Sequence, residues 1–271
     1  MANGAVGETD ASESVFALLL YHPLASFLAG LRFLTIIPVS WKSEKDRRFF
    51  KASLLWFPII GLLIGAITAL IVSFGSNLLS APLAAVFGMV LLGGVSGGLH
   101  LDGLADSCDG LLSSRPRARS LEIMRDSHIG AMGVIGLLFV LLGKYAALSS
   151  LSPTLMFQAF LLMPLLGRTA ILISMAILPY AREGDGLGLL FYSKDSRRIA
   201  FLGLLFCLIV TISLSFYSAL IILFALLFTV GIFSLWCYRK LGGATGDTLG
   251  AVCELTELSV AVSLSLTSVI Q

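Results

Sequence analysis

Residues 199–237 read IAFLGLLFCLIVTISLSFYSALIILFALLFTVGIFSLWC, without one charged side chain. A membrane-spanning helix needs roughly 20 apolar residues at about 1.5 Å rise each, so this run is too long for a single ordinary span. Ser213, Ser215, Tyr217 and Ser218 sit at its middle, which predicts a tight hairpin of two spans. Outward from the hairpin, apolar runs recur near 53–74, 82–101, 131–149, 155–179 and 248–270. A weaker run at 15–39 is interrupted by His22, Pro23 and Arg32 and reads either as a span or as an amphipathic or re-entrant segment. The expected fold is all-α, a polytopic membrane helix bundle of about seven spans, with six to eight the range these runs allow.

Composition agrees. The chain has 271 residues, 57% hydrophobic and 13% charged, with a mean hydropathy of +0.97, whereas soluble domains carry about 25% charged residues. This excludes a disordered chain, a nucleic-acid binder with a basic face and a secreted disulfide scaffold. Cys108, Cys207, Cys237 and Cys253 show no CxxC spacing and read as small apolar residues. Residues 1–14 hold three acids and no Lys or Arg. They lack the basic region of a signal peptide and are expected to form a mobile tail ahead of a single transmembrane catalytic domain at 15–271.

Charge sets the sidedness. Fifteen of the 18 basic residues fall in four segments, at 42–51, 115–125, 182–198 and 239–240. If 199–237 crosses twice, all four lie on one side, which the positive-inside rule makes cytoplasmic. The opposite connections, 75–81, 149–154 and 216–219, carry no charge. Trp41, Trp56, Tyr180, Tyr192, Trp236 and Tyr238 flank the basic loops, as interface anchors or as packed aromatics. Gly61/Gly65, Gly93/Gly97 and Gly94/Gly98 are small-xxx-small pairs of the kind that let helices approach closely in lipid.

The chemistry concentrates at GGLHLDGLADSCDG, 97–110. On a helix Asp102, Asp106 and Asp109 share one face. Their mutual repulsion must be relieved by a proton or a cation, and all-oxygen ligands favour a hard cation, Mg²⁺, Mn²⁺ or Ca²⁺. A solvated loop is the ordinary reading of clustered acids, but Gly98, Leu101, Leu104 and Ala105 embed these in apolar sequence, where charges are normally functional. His100 reads as a hydrogen-bonded neighbour or, less simply, a ligand.

Three more polar islands lie on the same side. Arg125-Asp126-Ser127 abuts the next span, and arginine forks suit phosphate oxygens; Arg115, Arg117 and Arg119 are explained by topology alone. The second island, YAREGDGLG, contains Arg182. In the third, LGGATGDTLGAVCELTE (241–257), Gly243, Thr245 and Gly246 offer backbone amides to phosphate at a helix start, while Asp247 ligates a metal or caps that helix. Glu254 and Glu257 recur within the last span, and Arg168, also intramembrane, requires an acidic partner. The candidate catalytic residues are Asp102, Asp106, Asp109 and Asp126, and the candidate metal ligands are Asp102, Asp106, Asp109 and Asp247. The candidate substrate-binding residues are Arg125, Ser127, Arg168, Arg182, Gly243, Thr245 and Gly246. From physics alone this is a membrane-embedded, metal-dependent transferase acting on a phosphate ester.

GGLHLDGLADSCDG, LEIMRDSHIG, YAREGDGLG and LGGATGDTLGAVCELTE, in this order and spacing and with FLTIIPV at 33–39, resemble the adenosylcobinamide-GDP ribazoletransferase family, also called cobalamin synthase. The resemblance implies a Mg²⁺-dependent enzyme of the bacterial inner membrane with its site facing the cytoplasm. Such an enzyme joins adenosylcobinamide-GDP to α-ribazole or its 5′-phosphate, giving adenosylcobalamin or its phosphate and GMP. It places the family's aspartate motif on Asp102, Asp106 and Asp109, its RDSxxG motif on Arg125, Asp126, Ser127 and Gly130, and its last motif on Gly242 through Ala251. Where that family commonly has Arg, this chain has His128, largely neutral near pH 7. The implied partners are the two substrates and the lipid bilayer, with no nucleic acid; a homo-oligomer is left open. A CDP-alcohol phosphotransferase would continue DGLAD with Arg, and an aspartate-rich prenyltransferase would carry DDxxD; neither pattern occurs. A cation transporter remains the reading from another class.

Overall fold

In the computed structural model the described residues are 15–39, 47–75, 78–182, 192, 194–214 and 216–270. The tail at 1–14, the loop at 40–46 and the Glu183–Gly188 part of the second island lie outside them. The described chain is helical: α1 (Val15–Tyr21), α2 (Pro23–Leu34), α3 (Arg47–Ser53), α4 (Phe57–Gly75), α5 (Ala81–Val95), α6 (Leu99–Leu111), α7 (Arg117–Ile123), α8 (Ala131–Ser149), α9 (Pro153–Ile177), α10 (Ser196–Leu214), α11 (Ala219–Leu241) and α12 (Gly246–Ile270).

Six segments are long and apolar enough to cross a membrane alone: Phe49–Gly75, α8, α9, α10, α11 and α12. The pairs α1–α2 and α5–α6 qualify only jointly, bent by 108° and 90°, giving a range of six to eight. The hairpin expected at 199–237 is α10 and α11, and the run at 15–39 is not one straight helix. The run at 82–101 ends early. α5 rises only about 22 Å, so it reaches across the roughly 30 Å hydrocarbon layer only together with the Ser96–Gly98 bend and α6. Counting α5–α6 as one broken span gives seven crossings and leaves all four basic segments on one side.

α9 is the hub, with α4, α10 and α12 packed along it. Its start is set by Ser152, whose Oγ accepts from Leu155 N at 3.4 Å, and by Pro153 in the first turn. Inside it, Pro164 has no N–H to offer the Phe160 carbonyl, and α4 packs over this stretch. A Cβ on Gly61 would collide with the Pro164 oxygen, and one on Gly65 would come 2.7 Å from the Phe160 and Leu161 oxygens. Gly61/Gly65 is thus a close-approach seam. Gly94/Gly98 is not, since nothing lies within 4 Å of a Cβ on either; in Gly93/Gly97 a Cβ on Gly97 would meet Ile36 Cγ2 at 2.6 Å, a loop contact and not a helix seam, and Gly97 and Gly98, with φ +61° and +73°, make the α5–α6 bend. Lipid gives helices no hydrophobic reason to associate, so contact quality decides. Gly61→Ala should cost about 1–3 kcal/mol in thermal unfolding of the solubilised protein, whereas Gly94→Ala should be neutral or slightly stabilising.

Candidate active site at the ends of α6 and α12

Glycines bring the acids together. A Cβ on Gly103 would meet the Asp247 carbonyl at 2.8 Å, and one on Gly250 would meet the His100 and Gly103 backbone at 3.2–3.4 Å. α6 therefore lies directly on the first turns of α12, with Asp102 and Asp106 beside Asp247. Asp106 bears the repulsion of Asp247, Asp102 and Asp109, with Arg182 as the opposing charge. Among the described residues, no donor reaches the Asp102 or Asp106 carboxylates.

Asp109 and Asp247 are engaged elsewhere. Asp109 accepts from Gly130 N (2.7 Å) and Gly133 N (2.8 Å), one bond to each oxygen, so it caps α8 from a neighbouring helix. A Cβ on either glycine would strike that carboxylate. Asp247 Oδ2 accepts from Arg182 Nη2 at 2.6 Å and Thr245 Oγ1 at 3.3 Å. It does not cap α12. Thr245 does, accepting from Thr248 N while Thr245 N donates to Thr248 Oγ1, the reciprocal geometry of a capping box.

The expected four-aspartate metal set is therefore not assembled: among the described residues no three His, Cys, Asp or Glu side chains form a metal-ready group. Mg²⁺, however, is usually held by one or two carboxylates plus substrate phosphates. The two unengaged carboxylates, Asp102 and Asp106, fit that mode.

The expected substrate-binding residues divide likewise. Arg125 and Arg182 line one cavity of ≈ 440 Å³ with Arg117, Leu121 and Glu122. Arg182 also donates to Met124 O, and its buried Nε has no partner. Arg117 is tied to the backbone, its Nε donating to Leu241 O (2.6 Å) and its Nη2 to Ala181 O (2.8 Å). Ser127 is exposed nearby. Asp126 pairs with His128 Nδ1 at 2.6 Å; the hydrogen bond holds the Asp126 carboxyl below its ordinary range and raises the imidazole above its own. His128 is thereby more cationic than a free imidazole.

The glycine-rich turn is not an open phosphate cradle. Ala244 N donates to Pro179 O and Ala181 N to Ala244 O, both at 2.8 Å, and a Cβ on Gly243 would collide with Pro179 O. Thr245 is fully buried. Only Gly246 stands clear of neighbours.

Arg168 is 2% exposed and lies beneath the site. It pairs with Glu257 Oε1 at 2.5 Å and donates to His100 Nδ1 at 3.3 Å. A guanidinium only donates, so Nδ1 accepts and the His100 proton sits on Nε2. Lys144 joins this group, 2.6 Å from Glu254 and 2.7 Å from Glu257. Lys144 is absent from the residues singled out by sequence, although a lysine alone in the apolar run 131–149 is itself a signal.

A family model described as cobalamin-5-phosphate synthase matches residues 26–265. The adenosylcobinamide-GDP ribazoletransferase of Shigella boydii is 40% identical over 88% of this chain and 98% of its own. That of Clostridium acetobutylicum is 34% identical over 84% and 90%, and that of Thermoanaerobacter pseudethanolicus 33% over 86% and 94%. No solved structure matches.

Proposed function

We infer the reaction from one premise: the chain belongs to the cobalamin-5-phosphate synthase family. It is a multi-pass membrane transferase of cobalamin nucleotide-loop assembly. Its donor is adenosylcobinamide-GDP and its acceptor α-ribazole or α-ribazole 5′-phosphate. The acceptor's 3′-hydroxyl oxygen attacks the phosphorus on the cobinamide side, a new P–O ester bond forms, and the bond to the bridging oxygen breaks. GMP leaves with that oxygen. The hydroxyl proton passes to a carboxylate oxygen of Asp102 or Asp106, to neither of which any donor among the described residues is bonded.

Arg125 and Arg182, facing one cavity, hold the phosphates of the GDP half, where planar forks match paired phosphate oxygens. Asp102 and Asp106 would hold Mg²⁺, which would supply charge neutralisation for the leaving phosphate. Arg182 ties this arrangement together, because the same guanidinium lines the cavity and bonds Asp247 in the acid cluster. That juxtaposition carries the reading. The site faces the cytoplasm from the bacterial inner membrane, on the side where basic residues gather.

Purified protein given both substrates should release GMP with Mg²⁺, stop when a chelator is added in excess, and recover on Mg²⁺ repletion. Release undiminished by the chelator would contradict the metal assignment.

A further inference from the structure

A second cavity borders the acid cluster, of a different chemistry. It measures ≈ 600 Å³ and is walled by Phe33, Ile36, Leu101, Ile129 and Leu137, with Asp102 the one charged residue among its lining. It exists because the chain breaks between α5 and α6. The left-handed Gly97–Gly98 turn contributes bare backbone to its wall, and Ile36 and Ile129 stand 66% and 55% exposed at it. Mainly apolar walls, a few placed polar groups and a volume in the several-hundred Å³ range describe a small-molecule site.

The proposed transfer brings two unlike substrates to one acid cluster. The donor carries a diphosphate, which the arginines of the first cavity, outnumbering Glu122 there, attract, whereas no Lys or Arg side chain lines the second. The acceptor, α-ribazole or its 5′-phosphate, carries a fused-ring base that is uncharged and largely apolar. A corrin macrocycle with its amide arms is several times larger than a nucleoside and is a poor match for this volume. We propose that the apolar cavity is the acceptor-nucleoside subsite, with the base against Phe33, Ile36, Ile129 and Leu137 and the ribose hydroxyls toward Asp102. The arginine cavity takes the donor's nucleotide half. This assignment rests on the transferase reading. Asp106 lines neither cavity but interacts electrostatically with Asp102, on the wall of this one, and with Arg182, on the wall of the other. A lipid acyl chain is the competing occupant, and it has no use for the Asp102 carboxylate.

The test is equilibrium binding of labelled α-ribazole, which lacks a phosphate, and of adenosylcobinamide-GDP to the full chain in nanodiscs. Ile36→Trp and Ile129→Trp fill the cavity from exposed positions and leave the core untouched. Both should weaken α-ribazole about tenfold or more and leave donor affinity unchanged; Arg125→Ala should do the reverse. Tryptophan variants that weaken the donor instead, or leave α-ribazole affinity as in the wild type, overturn the cavity assignment while the transferase reading stands. Wild-type protein that binds neither compound overturns both.

Discussion

Asp106→Asn should lower kcat by about 10³-fold or more while the protein inserts, purifies and unfolds like the wild type. The magnitude is that of removing a group that acts on charge or protons in the transition state. The substitution keeps the shape, removes one of the two unengaged carboxylates, and relieves repulsion from Asp102, Asp109 and Asp247, so stability should hold or rise slightly. Asp109→Asn is the informative contrast. Asp109 caps α8 through Gly130 and Gly133, and an amide offers one acceptor where the carboxylate offers two. That variant should lose about 1–2 kcal/mol of stability together with part of its activity. Turnover measured beside thermal unfolding separates the two aspartates: equal loss of stability in both would contradict the distinction, and near-normal turnover in Asp106→Asn would contradict the role given to it.

The second large effect lies in the charge group beneath the site. Glu257 bonds both Lys144 and Arg168, all three within a few per cent of full burial. Glu257→Leu leaves two buried cations facing Glu254 alone, and breaking a buried pair by removing one partner costs about 3–5 kcal/mol. The paired change Lys144→Met with Glu254→Gln removes one charge of each sign and keeps Arg168 on Glu257, so it should cost far less. Chemical or thermal unfolding in one detergent checks both, and a paired variant as unstable as Glu257→Leu would contradict the charge-balance account. Activity of Glu257→Leu should fall as well, because Arg168 fixes His100, two residues before Asp102 on α6.

The range of each signal decides how much of the fold and site is legible in sequence. Apolar run length and loop charge are local, and they suffice for the α10–α11 hairpin and the gathering of basic loops. Residue spacing puts Asp102, Asp106 and Asp109 on one helical face, because that too is local. It does not reveal that the start of α8 abuts that face and occupies Asp109, a contact between residues 109 and 130–133 made across α7. Thr245 reads as a phosphate contact because a capping threonine and a binding threonine look alike until Thr248 is seen to answer it. Lys144 meets Glu254 and Glu257 more than a hundred residues later, and no periodicity within either helix announces the meeting. Gly94/Gly98 has the spacing of Gly61/Gly65 yet faces open space, since spacing specifies a stripe and not the surface opposite it.

The most direct test is product stoichiometry. Full-length protein in liposomes, given adenosylcobinamide-GDP labelled in its guanosine, α-ribazole and Mg²⁺, should yield labelled GMP and the joined cobamide in equal amounts, with neither formed when one substrate is omitted. GMP released at the same rate without α-ribazole would make the protein a hydrolase of the donor and contradict the account.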